Sequence, residues 1–80
     1  MIKLNFYERA ILHELLKQSE SGILNRSYRQ IANEIEGITY ISIRNYLERF
    51  ANYGIVSISN KGTSRQYYTF NLNSIKKLLG

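Results

Sequence analysis

Residues 27–56 read SYRQIANEIEGITYISIRNYLERFANYGIV, and the segment carries its own punctuation. Ser27 followed three residues later by Gln30 has the form of a capping box, in which each side chain serves the other's backbone N–H at a helix start. Tyr28, Ile31, Ala32 and Ile35 then recur at helical spacing until Gly37, a residue suited to closing a helix. Gly37 and Ile38 alone stand before Thr39, a good N-cap. From Tyr40 onward Ile43, Tyr46, Leu47 and Phe50 mark a second apolar stripe that stops at Gly54. Two helices joined by so short a turn must cross sharply. An ordinary helical hairpin in a bundle is the alternative, and the flanking segments argue against it.

Upstream, Asn5 and Glu8 repeat the capping-box spacing. Leu4, Tyr7, Ile11 and Leu15 follow at helical intervals and predict a helix near residues 5–19. Ser19-Glu20-Ser21-Gly22 ends it, and Ile23-Leu24 has room for a brief strand. Downstream of Gly54 the apolar period changes to two: Ile55, Val56 and Ile58, then Asn60-Lys61-Gly62-Thr63-Ser64-Arg65, then Tyr67, Tyr68, Phe70 and Leu72. Two β-prone runs around a glycine-bearing polar loop predict a hairpin. Asn73 can cap a last short helix bearing Ile75, Leu78 and Leu79. No linker, repeat or low-complexity tract divides the chain, so its 80 residues are expected to form one small α+β domain spanning 1–80.

Composition removes several functions. Without cysteine there is neither a disulfide framework nor a thiolate metal site, which suits a reducing cytosol. Without aspartate, and with His13 as the single histidine, a Ser-His-Asp triad and an ordinary zinc site each lack members. His13 falls away from the apolar stripe of its helix and reads as a surface imidazole, as Glu14 and Glu34 read as solvated acids. Gly22, Gly37, Gly54, Gly62 and Gly80 stand singly at element ends, so no phosphate-binding glycine loop exists. The expectation is a protein with no enzymatic activity and no cofactor. No apolar run approaches a bilayer span, and Lys3, Glu8 and Arg9 interrupt the N-terminal apolar residues, unlike a signal peptide. A cytoplasmic protein with no membrane partner is expected.

Charge points toward a partner class. Eleven Lys and Arg stand against six Glu, but residues 1–36 are balanced. The whole excess lies in Arg44, Arg49, Lys61, Arg65, Lys76 and Lys77, opposed by Glu48 alone. A basic field gathered in one half favours a polyanion.

The order helix, brief strand, helix, turn, helix, basic hairpin, short helix resembles the winged helix-turn-helix family. The resemblance rests on Ile31-Ala32, Thr39, Ile43-Arg44, Leu47 and Gly54-Ile55-Val56 together with the hairpin, and so covers nearly the whole chain. Many subfamilies share this pattern, among them MarR-like small regulators and the C-terminal domain of archaeal origin-recognition initiators. It implies three helices, a hairpin wing and a short C-terminal helix. It also implies sequence-preferring binding of double-stranded DNA, by a small transcriptional regulator or by the DNA-binding module of a replication or partition protein. Members that bind RNA, or dock proteins, keep those two alternatives open.

At about 100° per residue, Ile41, Asn45, Glu48 and Asn52 lie opposite the apolar stripe of the third helix, flanked by Arg44 and Arg49. Arginine can bridge guanine, asparagine adenine, isoleucine a thymine methyl, and glutamate can accept from cytosine. The N-terminal half of such a helix enters deepest, which assigns base reading to Tyr40, Ile41, Arg44 and Asn45. Tyr28, Arg29, Ser42, Arg49, Lys61 and Arg65 are assigned to phosphates, the last two at the wing tip. A merely solvated helix face, and cations that only keep a strand edge soluble, are the plain alternatives. Tyr67, Tyr68 and Phe70 read as packing rather than as a stacking platform for single strands. A homodimer through helix one and the C-terminal helix is expected because Leu12 and Leu16 lie about 100° around from the main stripe. Packing of the closing helix within the monomer is the alternative.

Overall fold

A computed structural model describes residues 3–79. Along the chain come α1 (Phe6–Gln18), β1 (Ile23–Leu24), α2 (Tyr28–Asn33), α3 (Tyr40–Asn52), β2 (Val56–Ser59), β3 (Tyr67–Phe70) and α4 (Leu72–Leu79). The strands form one antiparallel sheet in the order β1-β3-β2, with Leu24 opposite Tyr68 and Tyr68 opposite Ile58. Gly80, expected to stand at an element end, lies outside the described residues, as do the first two residues of the N-terminal segment.

The helix starts follow from their caps. Asn5 Oδ1 accepts from the Glu8 amide at 2.8 Å while Glu8 Oε1 accepts from the Asn5 amide at 2.9 Å. Ser27 and Gln30 exchange the same pair of bonds at 3.2 and 2.9 Å, and Thr39 receives the Ser42 amide at 3.3 Å. Two boundaries differ from expectation. α2 ends at Asn33, not at Gly37, because Glu34 and Ile35 donate three residues back, to Ile31 and Ala32 at 3.2 and 3.1 Å, and tighten the last turn out of helical register. Gly37 then takes φ +78° inside the turn, a conformation costly for residues with a Cβ. α4 is capped by Asn71, not Asn73: Asn71 Oδ1 receives the Ser74 amide at 3.3 Å and its carbonyl receives that of Ile75 at 3.0 Å. Leu72, expected in the strand, therefore opens α4.

Leu12 and Leu15 of α1, Ile31 of α2 and Ile43, Leu47 and Phe50 of α3 meet Leu24, Val56, Tyr68 and Phe70 of the sheet and Ile75 of α4 in one buried cluster. The expected stripe of α1 is rotated. Glu8, Leu12 and Leu15 face inward, at i, i+4 and i+7, and Tyr7 is 69% exposed. The rotation brings Glu8 against Tyr53 and Arg49. It also removes the argument for a second chain: Leu12 is buried within the monomer, Leu16 packs against the core, and so do Leu78 and Leu79 of α4. The closing helix takes the intramolecular alternative, its last carbonyl receiving Arg9 Nη2 at 3.4 Å. Among the described residues no helix is long and apolar enough to cross a membrane.

Candidate nucleic-acid interface

α3 turns Ile43, Leu47 and Phe50 into the core and leaves Tyr40, Ile41, Arg44, Asn45, Glu48 and Asn52 exposed. Ile41 is 49% exposed. The four residues assigned to bases therefore share the outer side of one helix. Arg29 of α2 joins them, its guanidinium lying 4.4 Å from the centre of the Tyr40 ring, where the ring's negative face attracts it. The other cations do not behave alike. Among the described residues, ion pairs join Lys17 to Glu14 at 3.9 Å and Arg49 to Glu8 at 3.5 Å. Arg44, Lys61 and Arg65 are in neither.

Arg49, assigned to a phosphate, is exposed and also has partners within the fold. Besides Glu8 it lies 5.5 Å over the Tyr46 ring, on the side of α3 that meets α1. Glu8 is 3% exposed, and a buried carboxylate must have its oxygens engaged. Its lowered pKa comes chiefly from the Asn5 amide, opposed by burial and helped by Tyr53 and Arg49. Tyr53 donates its hydroxyl to Glu8 Oε2 at 3.0 Å, which raises the Tyr53 pKa in turn. Arg49 thus belongs first to the joint between α1 and α3. Ser42 is half-buried in the α3 cap, its Oγ accepting from Thr39 at 3.2 Å.

The hairpin loop is internally tied. The Thr63 amide and hydroxyl both donate to the Asn60 carbonyl, at 3.2 and 2.8 Å, and the Gln66 amide donates to the Thr63 carbonyl at 3.2 Å. Lys61 and Arg65 are exposed on it. The Gln66 side chain, which no sequence pattern singled out, ties the loop to the body. Its Oε1 accepts the Gly62 amide at 3.0 Å, while its Nε2 reaches the Tyr28 hydroxyl at 2.9 Å and the Tyr68 hydroxyl at 2.8 Å. Tyr28, assigned to a phosphate, has its hydroxyl oxygen engaged with Tyr68 and Gln66. Tyr68 and Phe70 are buried, as expected of packing, and Tyr67 is half-buried. Between the start of α2 and the loop lies a cleft of about 470 Å³.

No three His, Cys, Asp or Glu side chains come together to hold a metal among the described residues. In comparison with known proteins, the chain matches no family model and no curated sequence.

Proposed function

We propose that this chain is a winged helix-turn-helix domain that binds double-stranded DNA with sequence preference, non-catalytically and without a cofactor, in the cytoplasm. Its role is that of a small transcriptional regulator or the DNA-binding module of a replication or partition protein. The observation that carries the proposal is the outer side of α3, where exposed Ile41 stands beside Arg44, a cation in neither of the ion pairs found among the described residues. A helix face meant only for water has little use for an exposed isoleucine there, whereas a thymine methyl gives it a partner.

In this reading α3 enters the major groove. Arg44 bridges a guanine, Asn45 an adenine, and Tyr40 and Ile41 supply apolar contact. Arg29, Lys61 and Arg65 neutralise phosphates, and Tyr28 and Ser42 contribute neutral donors. Arg49, assigned to a phosphate from the sequence, is given a holding role in this reading because it pairs with Glu8. Two copies on a two-fold site would double these contacts. With Leu12 buried, the α1 surface available to such a homodimer is Phe6 with Tyr7. A protein-docking role is the second reading, favoured by Glu48, an acid in the middle of the proposed face. An RNA-associated role is the third.

Selection from a random duplex library with structured RNA as competitor tests all three. Enrichment of a duplex consensus is expected. Retention of the RNA, or of neither, overturns the proposal.

A further inference from the structure

The hydroxyls of Tyr28 and Tyr68 meet beneath the hairpin loop, and Gln66 touches both. Counting donors and acceptors fixes the protons. A phenol has one proton to give and two lone pairs to receive with. Tyr68 is 2% exposed, so its proton needs an acceptor inside the fold, and the Tyr28 oxygen is the one in reach. Burial first, and that bond second, raise the Tyr68 pKa and keep the hydroxyl protonated. The Tyr28 oxygen then receives from Tyr68 and from Gln66 Nε2, which fills both lone pairs. Tyr28 retains its own proton, which cannot point along the line to Tyr68, already taken by the Tyr68 proton, nor at Gln66 Nε2, itself a donor.

Tyr28 and Gln66 both line the cleft of about 470 Å³, together with Arg26, Gln30 and Ser64, and no carboxylate lines it. Arg26 gives one bond to Gln18, at 3.3 Å, and has further donors to offer. The other end of the Gln66 amide holds the Gly62 N–H. One side chain therefore sets both the position of the loop over the cleft and the direction of the Tyr28 proton.

We propose that Gln66 is the positioning residue of this cleft: it clasps the hairpin tip to α2 and turns the Tyr28 hydroxyl outward as a donor to a phosphate oxygen of the duplex backbone. The phosphate assignment rests on the duplex-binding reading. The clasp does not, and the experiment separates the two.

Amide exchange of Gly62 reads the clasp without DNA. Gln66→Leu accelerates it about tenfold or more, whereas Gln66→Glu keeps it slow, because a carboxylate still accepts the Gly62 N–H. Unchanged exchange in Gln66→Leu overturns the clasp. Duplex affinity, measured well below each variant's melting temperature, reads the donor. Tyr28→Phe weakens binding about tenfold while leaving the salt slope unchanged, since no charge is lost. In Gln66→Glu the phenol protons turn inward to the carboxylate, so adding Tyr28→Phe costs less than about twofold more. Wild-type affinity in Tyr28→Phe, or full additivity of the two substitutions, overturns the donor role. Free phosphate presents the same oxygens, so the Gly62 resonance is also followed in millimolar inorganic phosphate. No saturable shift is expected, and saturation by phosphate alone reassigns the cleft to small anions and overturns the backbone assignment. If the wild type binds no duplex, the donor role fails with the DNA reading, and Gly62 exchange still judges the clasp.

Discussion

Glu8 is the residue on which two helices depend. Its carboxylate closes the capping box of α1 and receives Tyr53 and Arg49 from the far end of α3, so removing its charge loosens a cap and a helix contact together. Glu8→Gln is expected to cost about 1–3 kcal/mol at neutral pH. The folded-state pKa lies below the ordinary 4.5, so the ionised group's contribution is present in full above that value and fades as pH falls through the lowered one. Melting curves of wild type and Glu8→Gln should therefore differ at pH 7 and converge in acid. A gap that persists unchanged at pH 3 would show that shape, not charge, does the holding. Residues on the outer side of α3 divide differently. Arg44→Ala and Asn45→Ala are each expected to lose about 1–3 kcal/mol on the selected site and to relax its consensus, while Lys61→Ala and Arg65→Ala weaken all sequences alike. Equal losses on selected and random duplexes for the first pair would remove α3 as the reader.

For the elements, the same geometry separates cations that hold the fold from cations that face outward. Arg29, Arg44, Lys61 and Arg65 are the outward set. If they neutralise phosphates as proposed, at about 0.9 per phosphate the expected log–log salt slope is about −3.6. Arg49→Ala should leave that slope in place while lowering stability by about 1–2 kcal/mol, because its partner is the buried Glu8 rather than a phosphate. A slope reduced by about one unit in Arg49→Ala would return that arginine to the DNA. Capping boxes were the legible part of these elements, because each is a contact over three residues and both of them, Asn5 with Glu8 and Ser27 with Gln30, form as the spacing predicts, whereas the single cap expected at Asn73 falls at Asn71. The end of α2 was not legible: helical spacing continues through Ile35, but the chain needs a wide turn there to bring Ile38 and Ile43 onto the core. Arg49 illustrates the same limit, since a helical wheel places it at the edge of the outer face and only its contact with Glu8, far away in sequence, says which neighbour it serves. Gln66 lay in a polar loop whose composition gives no hint that one amide bridges it to α2. Gly37 offers a backbone test. With φ +78° and nothing within 4 Å of an added Cβ, Gly37→Ala should cost about 1–2 kcal/mol through backbone strain alone, and Gly37→Asn less. Equal costs for the two would mean that the turn changes shape.

As a whole molecule the chain closes its own core. Its radius of gyration, 11.7 Å, is that of a compact chain of this length, about 12 Å, and Leu12, Leu15 and Ile75 are covered without a partner. Burying the α1 leucines and the α4 apolar face inside one chain means that pairing, where it occurs, is an added association and not a condition of folding. Leu12→Glu should therefore unfold the monomer instead of dissociating a dimer, with loss of the cooperative melting transition. The surface that a two-fold arrangement would use is the exposed pair Phe6 and Tyr7, whose rings meet edge to face at 5.8 Å. Each retains most of its apolar area for a second copy, and aromatic side chains gain most from such burial. Replacing both with serine removes that area from the outside of α1 and leaves Leu12 and Leu15 in place, so the fold should survive. Light scattering at micromolar concentration then decides. A wild-type mass near twice 9.4 kDa, falling to the single value in the Phe6→Ser/Tyr7→Ser variant with an unchanged melting temperature, places the dimer contact on α1. A wild-type mass of 9.4 kDa rules out a stable dimer under those conditions, and any pairing of two copies would then have to form on the duplex itself, each half-site contributing its contacts separately.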